Sequence, residues 1–398
     1  MQMKRLSIYI LTACMAVCCV YPFNPELPAG QTERLVIGGD IIIGGSTEIS
    51  VSRVFPLSSE YYEPAKVYPR ASVVIQQEGS QETVSGVPYG NGIYILKTEK
   101  LDPAASYRLS VSVDGKTYLS PWAKALPAPR ITSLNYAADD KNVNVLLSLD
   151  GGQDASDFRW TYVETWEYSA DFVPSLMYLE YGGEYSEDPE EIYRARTDAD
   201  DYFYCWNSSS NTEYCLATAA GLSSNRVEKQ NFLQIPRSSK KMSVLYSIEV
   251  KARSISHDAY AFLDNIKESS NISGSLFTPV PSDIRGNIRN AADTSEFVIG
   301  YVSVVTESSK RYFIDAAKDE LFKRDEDPES LKFFPFPDED GVYNFYNLYK
   351  TGNRPVGTAV PGDVPTKTNV YWAPSRCTDC RTLGGSKTKP SYWPNDHK

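Results

Sequence analysis

Four cysteines in the body of the chain, Cys205, Cys215, Cys377 and Cys380, are the side chains best able to do chemistry by themselves. Cys377-Thr378-Asp379-Cys380 has the spacing of a redox pair. A redox thiol needs a helix N-terminus after a strand to depress its pKa, whereas this pair runs into a Gly-, Lys- and Pro-rich stretch, 381–390. One such pair is also too few for a structural zinc site. A structural disulfide is therefore expected, closed locally or tying the tail to the body. Cys205 and Cys215 flank a turn-rich stretch, 207–212, and could bond across a hairpin. An even count in an exported chain predicts that all four are oxidised, with the connectivity open.

Other candidate chemistry is sparse. Only two histidines exist, His257 and His397, which argues against a Ser-His-Asp hydrolase, a Cys-His protease or a multi-histidine metal site. Residues 184–191 and Asp338-Glu339-Asp340-Gly341 cluster carboxylates that hard cations favour, but neither has the spacing of an EF-hand loop. Both read as solvated loops. Acids are plentiful enough for a carboxylate glycosidase, yet sequence spacing fixes no separation between them. No catalytic set, resident metal or cofactor is assigned. Trp160, Trp166, Tyr202, Tyr204 and Trp206 could form an aromatic platform for a sugar or peptide, against the plainer alternative of a buried strand face.

The first residues speak of location. Lys4 and Arg5 precede an apolar run from Leu6 to Val17, too short for the roughly 20 apolar residues that span a bilayer. A basic start, a short apolar core and small residues make a secretory signal peptide, 1–18. A cysteine at the cut adds lipoprotein processing, in which the thiol is acylated and becomes the new N-terminus. Cys19 gives an apolar core of normal length and a Pro-rich tether, 19–33; Cys14 and Cys18 are the alternatives. The formal charge of -11 falls to -13 once Lys4 and Arg5 leave with the signal. Nucleic acid is thus excluded as a natural partner, and the acyl group supplies the membrane attachment.

Twenty-eight tyrosines, six tryptophans and fifteen phenylalanines favour strands, because aromatic rings fit a pleated, half-buried surface. The expected fold is mainly β. Residues 34–126 predict an immunoglobulin- or fibronectin-like β-sandwich, with short β-branched runs at 34–37, 48–51, 71–75 and 92–96. Tyr107, Leu109, Val111 and Val113 alternate before an Asp114-Gly115 hairpin, and the Leu-x-Pro-x-x-x-Tyr lead-in looks like a tyrosine corner. After a Pro-rich linker, residues 130–305 predict a second β-rich domain. There, 143–149 and 158–163 read as a strand pair, 242–250 as the clearest strand and 297–305 as the last one. Ser256 can cap one main helix carrying Ala259, Tyr260, Phe262, Leu263 and Ile266 at helical spacing. Residues 306–398 read as an irregular aromatic and Pro-rich tail, and residues 180–201 as an acidic loop.

The layout resembles envelope lipoproteins of the Bacteroidetes domain-of-unknown-function family 4249. Cys19-Val20-Tyr21-Pro22-Phe23 and Leu35-Val36-Ile37-Gly38-Gly39-Asp40-Ile41 are similar to its lipidated start and first strand. Gly92-Ile93-Tyr94, the stretch from Tyr107 to Gly115 and the strand-then-helix from Ile248 to Leu263 follow its order. Asn287-Ile288 through Gly300-Tyr301 and the tail set Cys377, Cys380, Gly384, Gly385, Pro390 and Trp393 do so too. The resemblance implies an envelope lipoprotein of a kind often encoded beside TonB-dependent outer-membrane transporters; it implies no known activity and transfers no catalytic residue. Together with the anchor, the first sandwich and the lack of a catalytic set, it leads to the expectation of an outer-membrane accessory to such a transporter, a ligand-capture or gating subunit. A carboxylate-based or calcium-dependent hydrolase and a purely structural envelope component are the rival readings.

Overall fold

Alternation and turn chemistry build the first unit. Tyr107, Leu109, Val111 and Val113 are all buried along the strand Ser106–Val113. The Tyr107 hydroxyl donates to the Asp102 carbonyl at 3.0 Å, which is the tyrosine corner that the lead-in predicts. The computed structural model describes residues 34–54, 67–179, 192–271, 286–296 and 298–394. Cys14, Cys18, Cys19, the acidic cluster 184–191 and His397 lie outside the described residues.

One sheet of this unit runs in the order Leu35–Gly38, Ser46–Arg53, Ile93–Lys97, Val87–Gly90. The facing sheet contains Lys116–Leu119, Ser106–Val113, Ala71–Gln77 and Thr83–Ser85. Ile37, Ile49, Val51 and Leu96 meet Val73, Ile75, Leu109 and Val111 in one core, so the unit is a β-sandwich. Residues 298–304, part of the run 297–305 expected as the last strand of the second unit, complete this one instead, together with 288–290. Ile288, Val298, Val302 and Val304 enter the same core, and Arg289–Asn290 extends the facing sheet beside Lys116–Leu119. The reason is an open edge. Leu35–Gly38 has unpaired backbone groups on its outer side, and Ile37 donates to Ile299 at 2.9 Å while Ile299 donates to Leu35 at 3.0 Å. Gly300, at φ +147°, permits this approach, because a Cβ there would sit 1.8 Å from the Ile37 oxygen.

The second unit is also a sandwich. Arg130–Ala138, Asn142–Asp150 and Arg226–Pro236 form one sheet. The other runs Tyr204–Ser210, Asp157–Ser169, Leu245–Ile255, Glu307–Ile314, with Cys215–Thr218 beside the first half of Asp157–Ser169. Residues 143–149 and 158–163 are therefore not a hydrogen-bonded pair. They face each other across the core, where Val143, Val145 and Leu147 meet Phe158, Trp160 and Ile248. Glu307–Ile314, assigned to the tail by composition, pairs with Leu245–Ile255 from Arg253↔Glu307 to Tyr246↔Ile314. The boundary expected at 305 thus falls inside continuous packing on both sides. The helix His257–Asn271 forms where predicted, with Ser256 Oγ accepting the Ala259 N–H at 3.2 Å. It buries Ala259, Phe262 and Leu263 against Ile255 and Val305, at the junction of the two units.

The tail has more order than its composition suggests. The helix Phe345–Lys350 and the hairpin of Asn353–Thr358 and Val370–Pro374 pack on a second hairpin, Leu176–Tyr178 with Tyr193–Ala195. Ile192, Tyr193, Phe345, Val370 and Trp372 make their shared core. The remaining residues then cross the larger sheet of the second unit. Cys380 bonds Cys205 with a Cα–Cα distance of 5.6 Å. Trp206 and Ser386 exchange backbone hydrogen bonds of 2.8 Å. Gly385 lies so close that a Cβ would sit 2.2 Å from the Tyr168 hydroxyl.

Candidate functional site

Where the tail meets the Leu176–Tyr178 hairpin, the two leave a cavity of about 310 Å³. The Leu176–Tyr178 hairpin and the helix Phe345–Lys350 bring Tyr178 and Tyr349 into a stack with ring centroids 4.7 Å apart, and Tyr202 and Arg381 also line the cavity. Three arginines and two aspartates complete the polar lining: Arg194, Arg354, Arg381, Asp200 and Asp379.

Each charged group is held by local structure. Arg194 forks onto Asp200, with Nη1 to Oδ2 at 2.6 Å and Nη2 to Oδ1 at 2.8 Å. The Thr197 N–H and hydroxyl also donate to Asp200 Oδ2, closing the short turn Asp198–Asp200. The Arg194 hydrogen bonds hold the Asp200 carboxyl well below the usual carboxylate range. Asp379 caps the turn Cys380–Leu383 by accepting the Arg381 N–H at 2.9 Å, and its other oxygen takes Arg381 Nη2 at 2.7 Å. The Arg381 guanidinium carbon then lies 3.4 Å from the centre of the Tyr202 ring. Arg354 differs. Its Nη1 donates to the Tyr349 and Asn353 carbonyls at 2.9 and 2.7 Å, and its guanidinium carbon sits 3.8 Å over the Tyr349 ring. Among the described residues no carboxylate pairs with it.

This arrangement can bind. It offers fixed donors and acceptors, aromatic edges and an apolar lining of Pro174, Leu176 and Met177. It offers no proton donor at Asp200, whose carboxyl stays ionised at neutral pH. The larger hollow of 560 Å³ between the two sandwiches is a different kind of place. There Asp40 bridges Arg159 and Arg253 at 3.0 and 3.2 Å, and Glu307 takes Arg253 at 2.8 Å and Lys251 at 3.5 Å. Its arginines are already paired, Arg159 and Arg253 with Asp40 across the two units and Arg253 also with Glu307 within the second.

Of the aromatic residues proposed from sequence, only Tyr202 reaches the cavity. Trp160 is buried in the second core, edge-on to Phe232. Trp166 lies under Lys241, Tyr204 meets Phe203 edge to face, and Trp206 docks the tail backbone. The remaining cavity residues share no signal in the sequence, because 174–179, 192–202 and 349–381 meet only in three dimensions. Asp338 accepts the Asp340 and Val342 N–H groups and organises its own turn. His257 is largely exposed, with Nδ1 3.5 Å from the buried Asp157 carboxylate. No three His, Cys, Asp or Glu side chains converge as metal ligands among the described residues.

The disulfide expectation is right for one pair and wrong for the other two thiols. Cys205 bonds Cys380, whereas Cys215 and Cys377 are free. Cys215 does not face Cys205 across a hairpin, because Cys215–Thr218 and Tyr204–Ser210 pair with different halves of Asp157–Ser169. Burial pushes the Cys215 thiol up to about 11, and burial beside Asp171 raises Cys377.

The family described as "Domain of unknown function (DUF4249)" matches residues 20–311. The match ends within the strand Glu307–Ile314, so Tyr349, Arg354, Asp379 and Arg381 lie beyond it. No curated protein is similar to the chain in sequence. Among solved structures, a two fibronectin type-III domain segment from chicken tenascin is 9% identical, covering 55% of this chain and 91% of that one, with a TM-score of 0.16. The chicken CNTN1 FN1–FN3 domains are 16% identical over 56% of this chain and 61% of theirs, TM-score 0.18. A candidate carbohydrate binding protein from Bacteroides uniformis is 12% identical over 57% and 91%, TM-score 0.14. At such scores none of these likenesses carries an argument about this chain.

Proposed function

The chain belongs to the DUF4249 family, and from that premise we propose a lipid-anchored envelope protein that captures a ligand for an outer-membrane TonB-dependent transporter. The observation that carries the ligand-capture reading is the cavity itself, built from side chains locked before any ligand arrives. The Arg194–Asp200 and Arg381–Asp379 pairs need no rearrangement to present their outer edges. Lipid attachment at Cys19 rests on the basic, apolar and Cys-bearing leader. Two acyl chains give the stable anchoring that one does not. The Cys205–Cys380 bond suits an oxidising compartment and supports export. A hydrolase reading is weaker at this cavity, where each carboxylate is tied to its own arginine.

Two experiments test the proposal. Mass spectrometry of the mature N-terminal peptide is expected to find acylated Cys19, and Cys19→Ala is expected to release the protein from membranes. Gentle detergent extraction is expected to co-purify the chain with a TonB-dependent receptor. Recovery without such a partner, from membranes that contain one, overturns the accessory role.

A further inference from the structure

Resting on the ligand-capture reading, we propose that the cavity between the Leu176–Tyr178 hairpin and the tail takes an acidic saccharide, with the sugar carboxylate on Arg354. The electrostatic balance points there first. The lining carries three guanidinium groups and two carboxylates, and the two carboxylates are matched one to one by Arg194 and Arg381. Arg354 is the surplus cation, in a chain whose net charge is -11. Its Nη1 is occupied by the Tyr349 and Asn353 carbonyls, which fixes the guanidinium plane over Tyr349. Nε and Nη2 form no hydrogen bond among the described residues. A planar oxygen pair fits that edge as a bidentate partner, the geometry in which arginine recognises carboxylates.

The neighbouring groups favour a saccharide over a peptide end. A peptide C-terminus is normally received by a nest of backbone N–H groups, or by strand addition at a free sheet edge. Here the polar groups are side-chain forks at fixed angles, and Asp200 Oδ1, which accepts only Arg194 Nη2 among the described residues, keeps a lone pair for a sugar hydroxyl. Tyr349 is covered by Tyr178 and Arg354, and one face of Tyr202 by Arg381, so these rings meet the C–H side of a sugar mainly by their edges, while Leu176 and Met177 exclude water. The volume, about 310 Å³, lies at the small end of ligand pockets and suits one or two sugar rings rather than a long segment of polymer.

The test is isothermal titration of the full detergent-solubilised protein with digalacturonate, and with the neutral digalactose as control. Digalacturonate is expected to bind at least about tenfold more tightly, with an advantage that shrinks as salt is raised. Arg354→Gln is expected to lower digalacturonate affinity about ten- to hundredfold, the range of a lost charge-assisted contact, and so to erase most of its advantage over digalactose. Arg354→Lys, which keeps charge but not the fork, is expected to fall between. Equal binding of the two sugars by the unaltered chain overturns the proposal without any variant, as does an Arg354→Gln protein of native melting temperature that keeps full affinity. No binding of either sugar also overturns it, and so does binding confined to peptides with a free C-terminal carboxylate. Co-purification with a transporter is read separately. If it persists while digalacturonate fails, the saccharide assignment falls and the accessory reading stands.

Discussion

Trp393 places its indole N–H 2.9 Å from the buried Oε2 of Glu167, a residue 226 positions earlier in the chain. Glu167 occupies one of the odd-numbered positions of Asp157–Ser169, on the side facing away from Phe158 and Trp160. The hydroxyls of the neighbouring Tyr392 and of Thr165 share a hydrogen bond of 2.9 Å, and Arg311 lies 3.8 Å over the Tyr392 ring. What composition marks as loose tail is therefore the lid on one face of the second sandwich, and it also holds one wall of the cavity in place.

Trp393→Ala is expected to cost about 3–5 kcal/mol, the usual range for removing a buried tryptophan. Trp393→Phe keeps most of the apolar contact with Phe313 but removes this donor from Glu167, and is expected to cost about 1–3 kcal/mol. Denaturant unfolding of both variants checks the ordering.

Thiol counting on unreduced protein is expected to find Cys215 and Cys377 alkylated only after denaturation, while Cys205 and Cys380 react only after reduction. With Cys215 pushed up to about 11 by burial, its thiolate is scarce at neutral pH. Cys205→Ser opens a link across 175 residues and is expected to lower stability by about 3–5 kcal/mol. Four blocked thiols in denatured, unreduced protein would contradict the single bond.

Asp40 ties the two sandwiches together. It is buried and holds Arg159 and Arg253, both from the second unit. Asp40→Ala leaves Arg159 without its carboxylate and Arg253 with only Glu307, and a loss of about 3–5 kcal/mol is expected. Hydrogen exchange is expected to rise first at Ile41–Ile42 and Val304–Val305, which pair in parallel at the junction.

Glu296 gives a pH signature. Lys116 Nζ at 2.9 Å, then Asn290 and Tyr118, hold its carboxyl below the ordinary glutamate value, against a smaller opposing effect of burial. A depressed folded pKa contributes stability that is present above the unfolded value, about 4.3, and lost as pH falls through the folded one. Glu296→Gln is therefore expected to lower the melting temperature at pH 7 and to make little difference below pH 3. Melting curves across that range decide it, and an equal deficit at both ends would show a packing effect instead.

The sequence alone determined whatever repeats with a short period. Tyr107, Leu109, Val111 and Val113 declare a strand, and the Leu101-Asp102-Pro103 lead-in declares its corner, because neighbours along the chain decide both. Ser256 and the helical spacing of Ala259, Phe262 and Leu263 were legible for the same reason, and the family motifs gave the membership. Tertiary structure alone decided which distant segments meet. The run 297–305 is apolar enough to be a strand anywhere, and only the open edge of Leu35–Gly38 and the clearance at Gly300 assign it to the first sandwich. Four cysteines carry no information about partners until folding brings Cys205 within 5.6 Å of Cys380, Cα to Cα, and leaves the others apart. The cavity is the extreme case. Tyr178 and Tyr349 share no local pattern, and their stacking exists because an insertion and a tail, each too small to bury its own aromatic face, bury them against each other.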